Sequence, residues 1–269
     1  MTDRDNLPEA EGGYLPVNGM DMYFEETGEG TPLILLHGGT SSCKTWQPFL
    51  PIFSSHFRVI TPDSRAHGRT NNPSGILSYR QMAEDTAGLI QALNLDQPIV
   101  CGYSDGGQVV LELGMRYPGL CRALVVGAAW YKFSDVYLDT MKMAGFDAPG
   151  QVDFSRIRQN SPDWVEEMQL EHVSSPDSEY WKVLLRQISE LWWTPLDYTE
   201  VDFQKISEPT LVMLGDRDGI IELQQAVEEY ERIPNAELFI IPNADHFTAE
   251  NEISMRVVLD FAMRQSRFG

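Results

Sequence analysis

Lysine is the scarcest charged residue of the chain: 5 Lys and 15 Arg stand against 40 Asp and Glu in 269 residues, a formal charge of −20 at pH 7. A phosphate backbone or an anionic membrane surface is held by clustered Lys and Arg, and no basic run or stripe is there to supply one. This counts against nucleic acid and membrane as partners. Long apolar runs are lacking too. Leu33–Leu36 and Ala123–Tyr131 fall far short of the roughly 20 residues that cross a bilayer. Cysteine is rare: Cys43, Cys101 and Cys121 are an odd number without CxxC spacing. Cys101 and Cys121 lie in or beside apolar runs and read as inert small hydrophobes. The stretch Met1–Asn6 is polar with no apolar segment behind it, unlike a secretory signal. A reducing cytoplasm is the expected location. What remains is an ordinary globular composition, 42% hydrophobic and 22% charged, long enough for one large domain or a domain with an insertion.

Asn18-Gly19 between Gly13–Val17 and Met20–Glu26 predicts a hairpin. Pro32–Leu36, Phe57–Thr61, Pro98–Cys101 and Ala123–Gly127 read as buried strands. Helical spacing appears between Ser78 and Leu93, then over Gly107–Arg116, stopped by Tyr117-Pro118-Gly119. The alternation implies βα units on a parallel sheet. It breaks near Trp130 and resumes at Pro209–Leu214, then runs through helix Leu223–Ile233, strand Glu237–Ile241 and a last helix from about Asn251 to Arg264. Residues 131–205 contain helical pieces, four of the six Trp and no evident sheet strand. Such an insertion in a compact fold reads as a lid or subdomain rather than a structureless loop.

The chemistry centres on Ile99–Gly107, where Gly102-Tyr103-Ser104-Asp105-Gly106 places G-x-S-x-G between a strand and a helix. A sharp turn there crowds the positions two before and two after the serine, and glycine relieves the crowding. Ser104 is thereby the candidate nucleophile, raised above the sheet at a helix N-terminus. A serine hydroxyl needs a base, and the base an orienting carboxylate. With this motif the order is Ser, acid, His, which sets aside His37, His56 and His67 and leaves His172 and His246. His172, beside Glu171 in a polar stretch, reads as a solvated surface residue. His246, in a loop after a strand, is the candidate base, since ligands gather at the carboxyl ends of strands in open α/β sheets. Asp216 and Asp218 follow another strand and are both candidate acids, while Asp245 cannot easily fold back on its neighbour. Oxyanion donors are expected at the Asp105 N–H and in the loop His37–Ser41. His37 itself reads as a structural hydrogen bonder. No two of the five histidines stand at metal-ligand spacing, and no cofactor is expected.

On these motifs, in this order, and with Asp63–Thr70 between them, the chain resembles the α/β-hydrolase fold superfamily in its lid-bearing serine hydrolase branch. The resemblance covers nearly the whole chain. It implies a mostly parallel eight-stranded sheet flanked by helices, formed by residues 1–130 and 206–269, with residues 131–205 as a helical lid. It selects Asp218, the fourth residue of a G-x-x-D turn, as the acid, and Gly39 as the first oxyanion donor beside Asp105. The loop Asp63–Thr70 resembles the family's D-x-R-G-x-G-x-S segment with Ala66 and Thr70 as departures, and His67 there reads as structural. A serine at position 104 argues against the dehalogenases and epoxide hydrolases of this fold, which use aspartate. Ser104-Asp105-Gly106-Gly107 is also similar to the amino-acid-ester hydrolases that activate valacyclovir, where an acidic residue next to the nucleophile helps bind an ammonium. The plainer reading of Asp105 is an aspartate favoured at a helix N-terminus.

The expected activity is hydrolysis of a small to medium carboxylic ester through an acyl-enzyme on Ser104, with a small-molecule ester as partner; the oligomeric state is not readable from the sequence. Trp130, Met141, Trp164, Trp192 and Trp193 are candidate substrate-lining residues, with Trp181, Met143 and Met168 as further apolar surface. A lactonase, a C–C bond hydrolase, an aminopeptidase, a cofactor-free perhydrolase and a slow-turnover receptor are the alternatives on the same residues.

Overall fold

The computed structural model describes residues 10–266 other than 176 and 197; the stretch Met1–Asn6 lies outside them. The chain opens on a hairpin of β1 (Glu11–Val17) and β2 (Met20–Thr27). Asn18 and Gly19 both take positive φ, 46° and 79°, as a two-residue turn matched to strand twist demands. β3 (Thr31–Leu36), β4 (Phe57–Pro62), β5 (Ile99–Tyr103), β6 (Ala123–Gly127), β9 (Thr210–Gly215) and β10 (Ala236–Ile241) complete one sheet of eight strands, in the order β1-β2-β4-β3-β5-β6-β9-β10. β1 with β2 and β2 with β4 are antiparallel, and every later pairing is parallel.

β5, β6 and β9 are buried at every position, because helices cover both faces of a parallel sheet. α1 (Leu50–Ser54) follows a short 3-10 helix over Cys43–Phe49. α2 (Tyr79–Ala92) starts where Ser78 Oγ accepts the Gln81 N–H. α3 (Asp105–Arg116) is buried along almost its whole length, so it carries Val109, Val110, Leu111 and Leu113 on more than one face. α9 (Leu223–Arg232) and α10 (Glu252–Ser266) close the layers. All three cysteines are free and buried. Among the described residues no helix is long and apolar enough to cross a membrane.

Between β6 and β9 the chain leaves the sheet. This inserted segment holds α4 (Asp135–Ala144), the small hairpin β7 (Phe146–Ala148) and β8 (Gln151–Val152), α5 (Phe154–Asn160), α6 (Pro162–Glu171), α7 (Tyr180–Trp192) and α8 (Glu200–Phe203). The hairpin forms its own two-stranded sheet. Because β3, β5, β6, β9 and β10 run parallel, the loops that follow them share one edge of the sheet.

Candidate active site

Three of those loops bring Ser104, His246 and Asp218 together. Ser104 lies between β5 and α3 at φ 55° and ψ −121°, a sparsely populated region for a residue with a side chain. The turn needs the flanking glycines: a Cβ on Gly102 would strike the Gly106 carbonyl, and one on Gly106 the Leu36 carbonyl. His246 Nε2 lies 3.0 Å from Ser104 Oγ, and Nδ1 lies 2.7 Å from Asp218 Oδ2. With Nδ1–H donating to the carboxylate, Nε2 is left to accept the serine hydroxyl. The Ile220 and Ile221 N–H groups donate to Asp218 Oδ1, both at 2.8 Å. The Asp218 side chain is 1% exposed, so its charge acts where water screens little. Asp216, the other candidate acid, is exposed beside Arg217. Asp245 is exposed as well, its carboxylate accepting from Phe247 and Thr248.

On the other side of Ser104 lies the loop after β3. Gly38 rests against Ser104, and a Cβ on Gly39 would overlap the Asp105 carboxylate and crowd the Trp192 ring. Among the described residues no acceptor takes the N–H of Gly39 or of Asp105. Two free amides flanking a serine, one of them at a helix N-terminus, can stabilise a developing oxyanion. The Asp105 carboxylate turns aside into a buried cluster. Its Oδ1 accepts the Tyr79 hydroxyl at 2.7 Å, and both its oxygens accept the Trp192 Nε1–H, at 2.9 and 3.1 Å. Burial raises the Asp105 pKa against the pull of these donors and of His246. A substrate ammonium would share this carboxylate with two neutral donors.

A cavity of about 750 Å³ opens over Ser104 and His246. Trp130, Met141, Trp164 and Trp192 line it, but Trp193 does not. Consecutive helical positions point about 100° apart, so Trp192 facing the cavity turns Trp193 onto the core. Trp181 and Met168 are fully buried elsewhere and Met143 is exposed. Sequence reasoning missed Phe146, Ile220, Ile221 and Glu250 among the lining; only the isoleucines had a signal, their nearness to Asp218. The charged lining is one-sided: Asp105, Glu167, Glu171, Asp245 and Glu250 against Arg217. Glu250 Oε1 is buried without a partner among the described residues. Burial pushes its pKa up to about 7, partly offset by His246.

His172 corrects the surface reading. It is 3% exposed, with Nδ1 accepting the Gly68 N–H at 2.8 Å and Nε2–H donating to the Thr40 carbonyl at 2.9 Å. The polar stretch around it hid this, because both partners are distant backbone groups. His37 Nε2 accepts the Ser64 N–H, and its Nδ1–H donates to Gly38 O, a structural role. His67 lies between the other two, with ring centroids 5.2 Å from His37 and 5.7 Å from His172. Burial lowers the pKa of all three rings, that of His172 to about 4.

The family model of the alpha/beta hydrolase fold matches residues 31–252. The chain belongs to that family and is a hydrolase. It is 26% identical over 258 residues to a 2-hydroxy-6-oxo-2,4-heptadienoate hydrolase of Pseudomonas putida, covering 90% of this chain and 93% of that one. It is 26% identical over 251 residues to an sn-1-specific diacylglycerol lipase of Danio rerio, covering 86% and 78%. Its fold matches the meta-cleavage product hydrolase of Pseudomonas fluorescens IP01 with a TM-score of 0.76 at 22% identity, over 94% of this chain and 98% of that one.

Proposed function

We propose that this protein is a serine hydrolase of small to medium carboxylic esters without a negative charge. The observation that carries the reading is the chain of hydrogen bonds from Ser104 through His246 to Asp218, opening into the cavity beside two free amides. Ser104 Oγ attacks the ester carbonyl while His246 Nε2 takes its proton. Asp218 keeps the imidazole in the Nδ1–H tautomer and balances the imidazolium. The Gly39 and Asp105 amides receive the oxyanion. His246 then protonates the leaving alcohol, and water activated by the same base cleaves the acyl-enzyme. The inserted segment, residues 131–205, serves as the lid, and Trp130, Met141, Trp164 and Trp192 supply the apolar surface for acyl or alcohol groups.

Cleavage of a C–C bond is the second reading, favoured by the Pseudomonas putida relative, whose name specifies a dienoate. The cavity lining speaks against it. A carboxylate substrate would enter among five carboxyl side chains with Arg217 as the one Lys or Arg of the lining among the described residues, and the Arg217 side chain is 71% exposed. Steady-state hydrolysis of p-nitrophenyl esters from acetate to decanoate, by wild type and Ser104→Ala, tests the proposal. Repeated turnover that falls by at least about 10⁴-fold in the variant is expected. Turnover that survives the substitution, or no turnover beside cleavage of a dienoate acid, would overturn it.

A further inference from the structure

The peptide that carries the Gly39 N–H is held at its Gly38 carbonyl by His37 Nδ1–H at 2.7 Å and by the Ser41 N–H at 3.4 Å, while the two glycines add no restraint of their own. On its far side Gly39 depends on the next residue. Thr40 is β-branched and stands at φ 63°, a left-handed conformation that such side chains resist. Neighbours must therefore hold it there. Within the loop, the Thr40 hydroxyl donates to the Gly39 carbonyl at 2.6 Å. The other ties come from the inserted segment. Trp164 Nε1–H on α6 donates to Thr40 Oγ1 at 3.2 Å, and His172, at the end of α6, donates through Nε2 to the Thr40 carbonyl. Ser42 Oγ donates to Glu171 Oε2 at 2.7 Å.

His172 is also anchored from behind. Its Nδ1 accepts the N–H of Gly68, whose carbonyl in turn accepts the Val173 N–H at 2.9 Å. That loop is rigid in its own right, since Asp63 accepts the N–H groups of Cys43 and Arg69. The imidazole thus bridges a fixed core loop and the strained residue next to Gly39. The bridge needs a neutral ring, one nitrogen accepting and the other donating, and burial keeps the ring in that form above a pH of about 4.

We propose that His172, carried by the inserted segment, is a positioning residue for the oxyanion site: by holding Thr40 it completes, together with His37 on the Gly38 carbonyl, the aim of the Gly39 N–H at the reacting carbonyl. This deepens, and rests on, the acyl-transfer reading of Ser104. The segment thereby does more than cover the cavity, because one of the two oxyanion amides is held on one side by His37 in the sheet domain and on the other, through Thr40, by a residue outside it.

The test uses full-length wild type, His172→Leu, which loses both hydrogen bonds, and His172→Gln, which keeps a donor and an acceptor. Each is assayed for kcat and KM on p-nitrophenyl acetate and for Ki of an aryl trifluoromethyl ketone. Ser104 Oγ adds to that carbonyl, the serine proton passes to His246, and the resulting hemiketal oxyanion occupies the site under test. In His172→Leu, kcat should fall about 10- to 100-fold with KM nearly constant. Ki should rise by the factor by which kcat/KM falls, and His172→Gln should lie between the two. A folded His172→Leu with wild-type kcat and Ki, or a loss confined to KM, overturns the proposal. Should His172→Leu not fold, Trp164→Phe removes the other tie to Thr40. A several-fold loss of kcat with Ki tracking it supports the proposal, and unchanged kcat and Ki overturn it. Wild-type turnover that survives Ser104→Ala marks failure of the underlying reading instead, and the inference falls with it.

Discussion

Glu250 stands four residues after His246, half-buried beside the cavity with one carboxylate oxygen buried and unpartnered among the described residues. An ionised carboxylate in that position is costly, so burial raises its pKa from 4.5 to about 7. The folded state therefore holds this proton more tightly than the unfolded chain. The stability contributed is fully present below pH 4.5 and is lost as pH rises through 7. Glu250→Gln removes the ionisation. Relative to wild type, the variant should gain stability steadily between about pH 5 and pH 8, by at most roughly 3 kcal/mol. Urea unfolding across that range checks it, and two parallel curves would count against a raised pKa. The three buried histidines act in the opposite sense. Their lowered pKa values stabilise the protein fully above 6.5 and cease to do so as pH falls toward about 4, the value for His172. Neither Glu250 nor His172 could be recognised in the sequence, because a polar residue among polar neighbours carries no mark of the distant groups packed around it. Ser104, His246 and Asp218 could be, since the tight turn at Ser104 requires Gly102 and Gly106, and the two partners follow strand-like runs.

Elements are joined here by a buried ion pair that ordinary patterning does not reveal. Arg65, in the loop after β4, makes two hydrogen bonds of 2.7 Å to Asp85 on α2. Asn18, in the turn between β1 and β2, donates to the same carboxylate at 3.0 Å. The side chains of Arg65 and Asp85 are 4% and 2% exposed. Removing one partner leaves the other charged and uncompensated, so Asp85→Leu should destabilise the fold by about 3–5 kcal/mol. Arg65→Met combined with Asp85→Leu should recover most of that loss in urea titrations. A double variant no more stable than the single one would show that packing, not charge, sets the cost. The same scale shows why the fold was legible. Asn18-Gly19, the apolar runs of β3, β5 and β6, and the helical spacing after Ser78 are local signals, each within a few residues of what it specifies. The inserted segment offers fewer. Its hairpin β7–β8 is only five residues of strand, too short for alternation to show. Which of two adjacent tryptophans faces the cavity depends on the rotation of α7, which is set by distant partners such as Asp105 for Trp192 and the core for Trp193.

Charge acts over the whole molecule. With −20 on 269 residues and a cavity lining that includes Glu167, Glu171, Asp245 and Glu250, the field around the site repels anions and attracts cations. A cleft that focuses such a field changes encounter rates without changing the chemical step. The consequence is separable from catalysis by salt, since the screening length shrinks from about 30 Å at 10 mM to about 3 Å at 1 M. Three p-nitrophenyl esters of equal length, with acyl chains ending in trimethylammonium, tert-butyl or carboxylate, should rank in that order by kcat/KM at low salt. Raising the salt should lower the value for the cationic ester and raise it for the anionic one, compressing their ratio by about tenfold. The neutral ester should move little, and kcat at saturation should stay nearly constant for each. A ranking that ignores salt would place the discrimination in direct contacts at the cavity wall, with Arg217 and the carboxyl groups as the side chains to substitute. An anionic ester preferred at every ionic strength would contradict the exclusion of negatively charged substrates and return the dienoate acids to consideration.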